Sequence, residues 1–202
     1  MTEHYEKIIE FWLGDVAAPA SELNSRARRW FGADTELDRE IEARFSNLLA
    51  RWPEGEIAGW AASPRGRLAL IILLDQFSRN IHRGTEKAFA FDHEALELSR
   101  SGIDAGMDQH LEPLERLFFY MPFEHAEDGE TQQRSVALFE ALAAASSAHQ
   151  RSFFDHALIY VREHRDLIVR FGRFPHRNRV LGRESTPEES AYLTGGGKTF
   201  GQ

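Results

Sequence analysis

The chain has 202 residues, 32 acidic against 24 basic side chains for a formal net charge of −8, and no cysteine. That length suits a single domain over residues 1–202, with 42% apolar residues to build a core unaided by covalent staples. The composition excludes disulfides and thiolate chemistry, argues against a nucleic-acid partner, which would call for the opposite charge, and offers no membrane span, since the longest apolar run, Leu68 to Leu74, falls far short of about 20 residues.

The opening stretch MTEHYEKIIEFWLGD is acidic and amphipathic, with no basic or apolar leader pattern, so a cytoplasmic location is expected. Helical signals then follow one another. Thr35 and Asp38 resemble a capping box, and Leu37, Ile41, Phe45, Leu48 and Trp52 recur at helical spacing up to Pro53. Ser63–Pro64 reads as an N-cap with proline at the first helical position. The following RLALIILLDQF is apolar on every side, which predicts a buried central helix. Beyond Gly84–Thr85 a helix carries Ala88, Phe91, Ala95 and Leu98 on one face. Pro113 opens another through LERLFFYM, which Pro122 is expected to kink or end, and Ser135 to Ala145 is helical by propensity.

Residues 151–171 give a stripe of Phe153, Ala157, Tyr160, His164, Leu167, Ile168 and Phe171, with Gly172 as the C-terminal cap. Thr186–Pro187–Glu188–Glu189 starts a last short helix that Gly195–Gly197 ends. No stretch alternates like a strand, so an all-α antiparallel helical array is expected.

Three polar segments abut these apolar helices. In Asp75–Gly84, Leu68, Ile72, Asp75 and Arg79 share a face, with Asp75 and Arg79 spaced for an intrahelical ion pair. Such a segment either ties down a helix end or rims a pocket. In Tyr120–Asp128, three carboxylates and His125 lie close together after a proline. Glu124, His125 and Glu127 are weak candidates for a divalent metal, or His125 for a general acid, although a solvated helix end has the same composition. In Arg170–Asn178, continuing to Arg183, arginines alternate with Phe, Gly and Pro. From Arg162 to Arg183 seven arginines stand against two acids, a +5 window in an acidic chain. Guanidinium forks suit carboxylate or phosphate, but internal acids such as Glu124, Glu127 and Asp128 would satisfy them equally well. His164 sits within the apolar stripe, either as a core histidine or reaching a pocket beside His176. Gly195–Thr199 has the ending of a phosphate-binding loop without the preceding strand or following helix.

These segments also carry a family resemblance. FWLGD (11–15), RWFGAD (29–34), LALIILLDQFSRNIHRGT (68–85), AFAFD (88–92), ERLFFYMPFEHAED (115–128), HRDLIVRFGRFPHRN (164–178) and LGREST (181–186) together resemble domain-of-unknown-function family 924, a group of uncharacterised, mostly bacterial proteins. Ser78 stands where that pattern has proline, which frees an amide and is expected to straighten the helix. Ala126 stands where it has serine, which removes a hydroxyl. The resemblance implies a tetratricopeptide-like, right-handed α-superhelix and no activity. Its motif residues in this chain include Asp75, Gln76, Arg79, Asn80, Arg83, Glu124, His125, Glu127, His164, Arg173, His176, Arg177, Asn178 and Arg183.

Three functional readings follow. A binding module would hold an anionic small molecule or an acidic peptide in a concave pocket of Arg79, Arg83, Tyr120, His164, Arg173, His176, Arg177, Asn178 and Arg183, with no cofactor. A hydrolase-type enzyme would move protons through His125 or His176, oriented by Glu127 or Asp75, in a version with or without a metal. A structural or interaction protein would use the same polar residues to interlock helices.

Overall fold

The computed structural model describes residues 2–200, with side chains from residue 5 onward, and those residues form helices and connecting loops without strands. In chain order the helices are α1 (Thr2–Leu13), α2 (Ala20–Phe31), α3 (Thr35–Ala50), the single turn α4 (Glu56–Gly59), α5 (Pro64–Ile71), α6 (Ser78–Ile81), α7 (Asp92–Asp104), α8 (Pro113–Glu124), α9 (Gly129–Ala145), α10 (Arg151–Phe171) and α11 (Pro187–Thr194). A π-helical turn, Ile72–Phe77, joins α5 to α6 without a break. No helix among the described residues is long and apolar enough to cross a membrane.

The apolar-all-round segment becomes the centre of the molecule. Every side chain from Leu68 to Leu74 is fully buried, and α5 packs against α1, α7 and α8. The aromatic residues thicken this core: Trp12, Phe77, Phe118 and Trp30 meet edge to face with ring centroids 5.3 to 6.2 Å apart, and Trp30 Nε1 donates to the Trp12 carbonyl at 2.7 Å. Short loops join α8, α9 and α10, which pack as successive neighbours. Contacts of α1 with α5 and of α3 with α6 span much of the chain, so packing is not confined to adjacent repeats as in a simple solenoid.

Several local signals translate directly. Ser63 Oγ accepts from the Gly66 amide, Gly172 closes α10 at φ 72°, and Thr186 and Glu189 form a reciprocal capping box on α11. Other expectations are corrected. The cap of α3 is Asp34, which accepts from the Glu36 and Leu37 amides and leaves Asp38 free to bind Arg83 and Asn80. The helix expected beyond Thr85 is split: Glu86–Phe89 is a 3₁₀ turn, and α7 begins only at Asp92. Pro122 lies inside α8, which runs two residues further. Ser78 does not straighten its helix. Its amide donates to Leu73 O, five residues back, which closes the π turn.

Candidate functional site

The π turn decides where the first polar segment points. Its extra residue rotates Asp75 and Gln76 into the interior, and Asp75 is 1% exposed. Its carboxylate accepts from Gln76 Nε2 at 2.6 Å, from Arg79 Nη2 at 3.2 Å and from His125 Nδ1 at 2.7 Å. Burial works to raise the Asp75 carboxyl, but the adjacent His125 imidazole and Arg79 guanidinium outweigh it and hold the group well below the usual carboxylate range. An ionised Asp75 makes Nδ1 the protonated nitrogen of His125 and leaves Nε2 as the one free to exchange a proton.

Arg79 reaches past Asp75 to Asp92, with Nη2 at 2.8 Å from Oδ1. On the other side of Asp92 lies Arg177, whose Nη1 donates to Oδ2 at 3.4 Å and to the His125 carbonyl at 3.1 Å. Both guanidinium groups lie over the Phe89 ring, at 5.3 and 4.7 Å from its centroid. Burial, together with the neighbouring Arg79 charge, pushes Arg177 down to about 10. Arg79 Nε and Nη1, Arg177 Nε and His176 Nδ1 are all buried without a hydrogen-bond partner. Unpaired buried guanidinium N–H groups are costly, and Arg79 and His176 also line a cavity. His176 is pulled down to about 3, first by burial and then by Arg177, His164, Arg79 and Arg183, so it is neutral at physiological pH.

A second imidazole–carboxylate pair stands beside the first. His164 Nδ1 lies 2.8 Å from Glu124 Oε1 and 2.9 Å from the Tyr160 carbonyl, so this nitrogen also carries its proton toward acceptors. The His125 and His164 ring centroids are 6.4 Å apart. The turn that carries Glu124 and His125 is fixed from α9. Gln132 Nε2 donates to the carbonyls of Glu124 at 2.6 Å and Ala126 at 2.8 Å, which satisfies the otherwise unpaired end of α8.

The basic window resolves into two groups. Arg162, Arg165 and Arg170 pair with Glu140, Asp166 and Glu188 on the exterior. Arg173 grips Glu189 with two bonds, at 2.7 and 2.8 Å, and Arg183 grips Glu127 at 2.5 and 2.9 Å. Glu127 also accepts from the Phe174 amide. Its burial works upward, but the Arg183 hydrogen bond and that amide outweigh it and lower the carboxyl. Asn178 binds Ser185 and Glu189 and accepts from Arg183 Nε. Arg173, Asn178 and Arg183, expected to face a ligand, thus spend polar atoms on internal bonds that tie the 173–183 segment to Glu127 and to α11. The Tyr120 hydroxyl, likewise expected at a ligand, donates to buried Asp108 at 2.6 Å, and burial pushes it upward. Glu127 is turned toward Arg183 and does not orient an imidazole. Glu124, His125 and Glu127 take three separate partners. Among the described residues no group of three His, Cys, Asp or Glu is arranged to hold a metal ion.

Two hollows flank what remains. One, of about 360 Å³, is lined by Arg79, Arg83, Phe89, His176, Arg179 and Thr199, among others. The other, of about 700 Å³, has apolar walls that include Phe31, Leu117, Met121, Phe139 and Phe153, with Glu124, His125 and His164 at its polar end. Arg83 is shared with Asp38, at 2.7 and 2.9 Å, and Asn80 binds the same carboxylate. Of the residues expected in a site, Asp75, Arg79, Arg177 and His125 are thus linked directly, with His176 against Arg177 and His164 one ring away. Sequence reading passed over Asp92, although it ends the AFAFD motif, and also Phe89, Arg179 and Phe200. Phe200 stacks on His164 with centroids 3.6 Å apart, and nothing in a glycine-rich C-terminal segment signals that contact.

No curated protein matches the chain. Among solved structures it is similar to a protein of unknown function, ATU0120, from Agrobacterium tumefaciens, at 36% identity and a TM-score of 0.78, over 95% of this chain and 97% of that one. The family model described as bacterial protein of unknown function (DUF924) matches residues 8–197. With nearly its whole length covered, the chain belongs to the DUF924 family of bacterial proteins of unknown function.

Proposed function

We propose that the protein is a binding module for a small anion, held in the hollow between Arg79 and His176. The observation that carries this reading is the set of buried, unpartnered nitrogens on these two residues and on adjacent Arg177. The two buried guanidiniums are matched in charge by Asp75 and Asp92, but Arg177 has only a long 3.4 Å contact to Asp92, and Asp75 also accepts from His125. Arg179 at the same hollow is exposed and adds to the field. The ligand is a small molecule bearing phosphate, sulfate or carboxylate; an acidic peptide would enter the same hollow by its terminus. The reading takes residues 1–202 as one cytoplasmic domain, with α8 to α10 stacked in a tetratricopeptide-like right-handed turn, and involves no nucleic acid, membrane or cofactor.

Inorganic phosphate at ten times its dissociation constant stabilises a bound protein by about 1.4 kcal/mol, or on the order of 3 °C for a chain of this size. Arg79→Lys, which keeps charge but loses the fork, and His176→Gln lose most of that shift. Arg162→Gln, in the same basic window but on the surface, keeps it. Equal shifts in all three would refute the reading.

A second reading, a hydrolase-type enzyme, is favoured by one observation: His125, paired with buried Asp75, and His164, paired with Glu124, both line the larger hollow. His125 Nε2 would take a proton from the attacking water and pass it on to the leaving group, beside the His164 imidazole. A screen of carboxylic and phosphate esters tests it: turnover that falls on the order of a hundredfold in Asp75→Asn supports the enzyme, and turnover untouched by both Asp75→Asn and His164→Ala removes it.

A further inference from the structure

The two hollows are separated by very little. Thr199 lines both, and the Phe200 ring lies between their histidines, stacked on His164 at 3.6 Å and 27° and 5.7 Å from His176. We propose that the hollows are two halves of one site for an aromatic anion, and that Phe200 occupies the place where the ligand's ring stacks on His164. This inference rests on the anion reading above and extends it to the rest of the ligand.

Three features support a displaceable occupant. Phe200 holds φ at 52°, the left-handed region that disfavours a residue with a side chain. The segment leading to it leaves α11 through Gly195, Gly196 and Gly197, with Gly196 at φ 82°. Beyond Gly197, whose amide donates to the Tyr192 carbonyl, its polar attachments are the exposed Lys198–Glu163 ion pair and a long 3.4 Å bond from the Tyr192 hydroxyl, both weak; Lys198 also lies over the Tyr160 ring and Phe200 packs against Leu167, Ile168 and Phe174. One face of His164 is therefore covered by a side chain whose own backbone sits in a disfavoured conformation. With the ring moved aside, an imidazole face in the 700 Å³ hollow becomes continuous with the unpartnered nitrogens of Arg79 and His176. An aryl group fits the first and a phosphate or carboxylate the second. Both hollows fall within the size range of small-molecule sites.

The test is isothermal titration of phenylphosphate and of inorganic phosphate into the full chain, into Phe200→Ala and into a chain ended after Gly197. Removing the competing ring raises phenylphosphate affinity about fivefold or more, because the competent state no longer has to be opened. Inorganic phosphate affinity changes less than twofold. His164→Ala combined with Phe200→Ala abolishes the gain. If phosphate binds but neither tail variant tightens phenylphosphate, the inference fails and the anion reading stands. If neither compound binds any of the three proteins, both fail.

Discussion

His176 shows how a single residue records the character of its surroundings. Burial and four basic neighbours keep it neutral down to about pH 3, whereas in the unfolded chain it charges near 6.5. Its folded value is depressed, so below 6.5 the unfolded state binds a proton that the native state refuses. Stability is then lost as pH falls from about 6.5 toward 3, at up to about 1.4 kcal/mol per pH unit. His176→Gln flattens the urea-unfolding free energy between pH 6.5 and 4.5. That window lies above the range in which Asp75 and Glu127 begin to lose their native advantage, since those lowered carboxyls contribute stability above their unfolded values and surrender it only at lower pH. Bound sulfate, which does not titrate here, raises the native value of His176. The thermal shift it produces is therefore larger at pH 5 than at pH 8 in the wild type and equal at both in His176→Gln.

At the scale of elements, the site depends on two departures from a regular helix. The π turn aims Asp75 inward, and the end of α8 is held by a glutamine from α9. Gln132→Leu removes the donor from two buried carbonyls and should cost about 1–3 kcal/mol. It also loosens the turn that bears Glu124 and His125, which the His125 ring signals in an NMR spectrum would report as broadening; sharp, unmoved signals would contradict the role assigned to Gln132. These departures mark the limit of sequence reading. Caps at Ser63 and Thr186, the stop at Gly172 and the buried Leu68–Leu74 run are local rules and were legible. The π turn was not, because it follows from how α5 is packed and not from a residue type. The Tyr160 position shows the same limit: it lies on the apolar stripe of α10 yet remains 44% exposed, at the rim of the larger hollow.

Across the whole molecule, folding sorts the arginines. The charge pattern alone showed seven of them between 162 and 183 and left open whether internal acids would neutralise them. Arg173 and Arg183 meet Glu189 and Glu127 bidentately, a distinction set by which acid lies opposite after packing. Arg177 is buried against Arg79 and shares one aspartate with it. The pairing of Arg79, from the central helix, with Arg177, from the far end of the chain, is the product of long-range packing that no local motif encodes. It concentrates unmatched donors at one hollow. The most direct measurement is the anomalous diffraction of crystals soaked in selenate, which mimics sulfate and marks its own position. The account predicts one dominant selenium peak with its oxygens within hydrogen-bond reach of Arg79 Nη1 and His176 Nδ1; a hollow left without selenium while peaks gather on the surface arginines would contradict it.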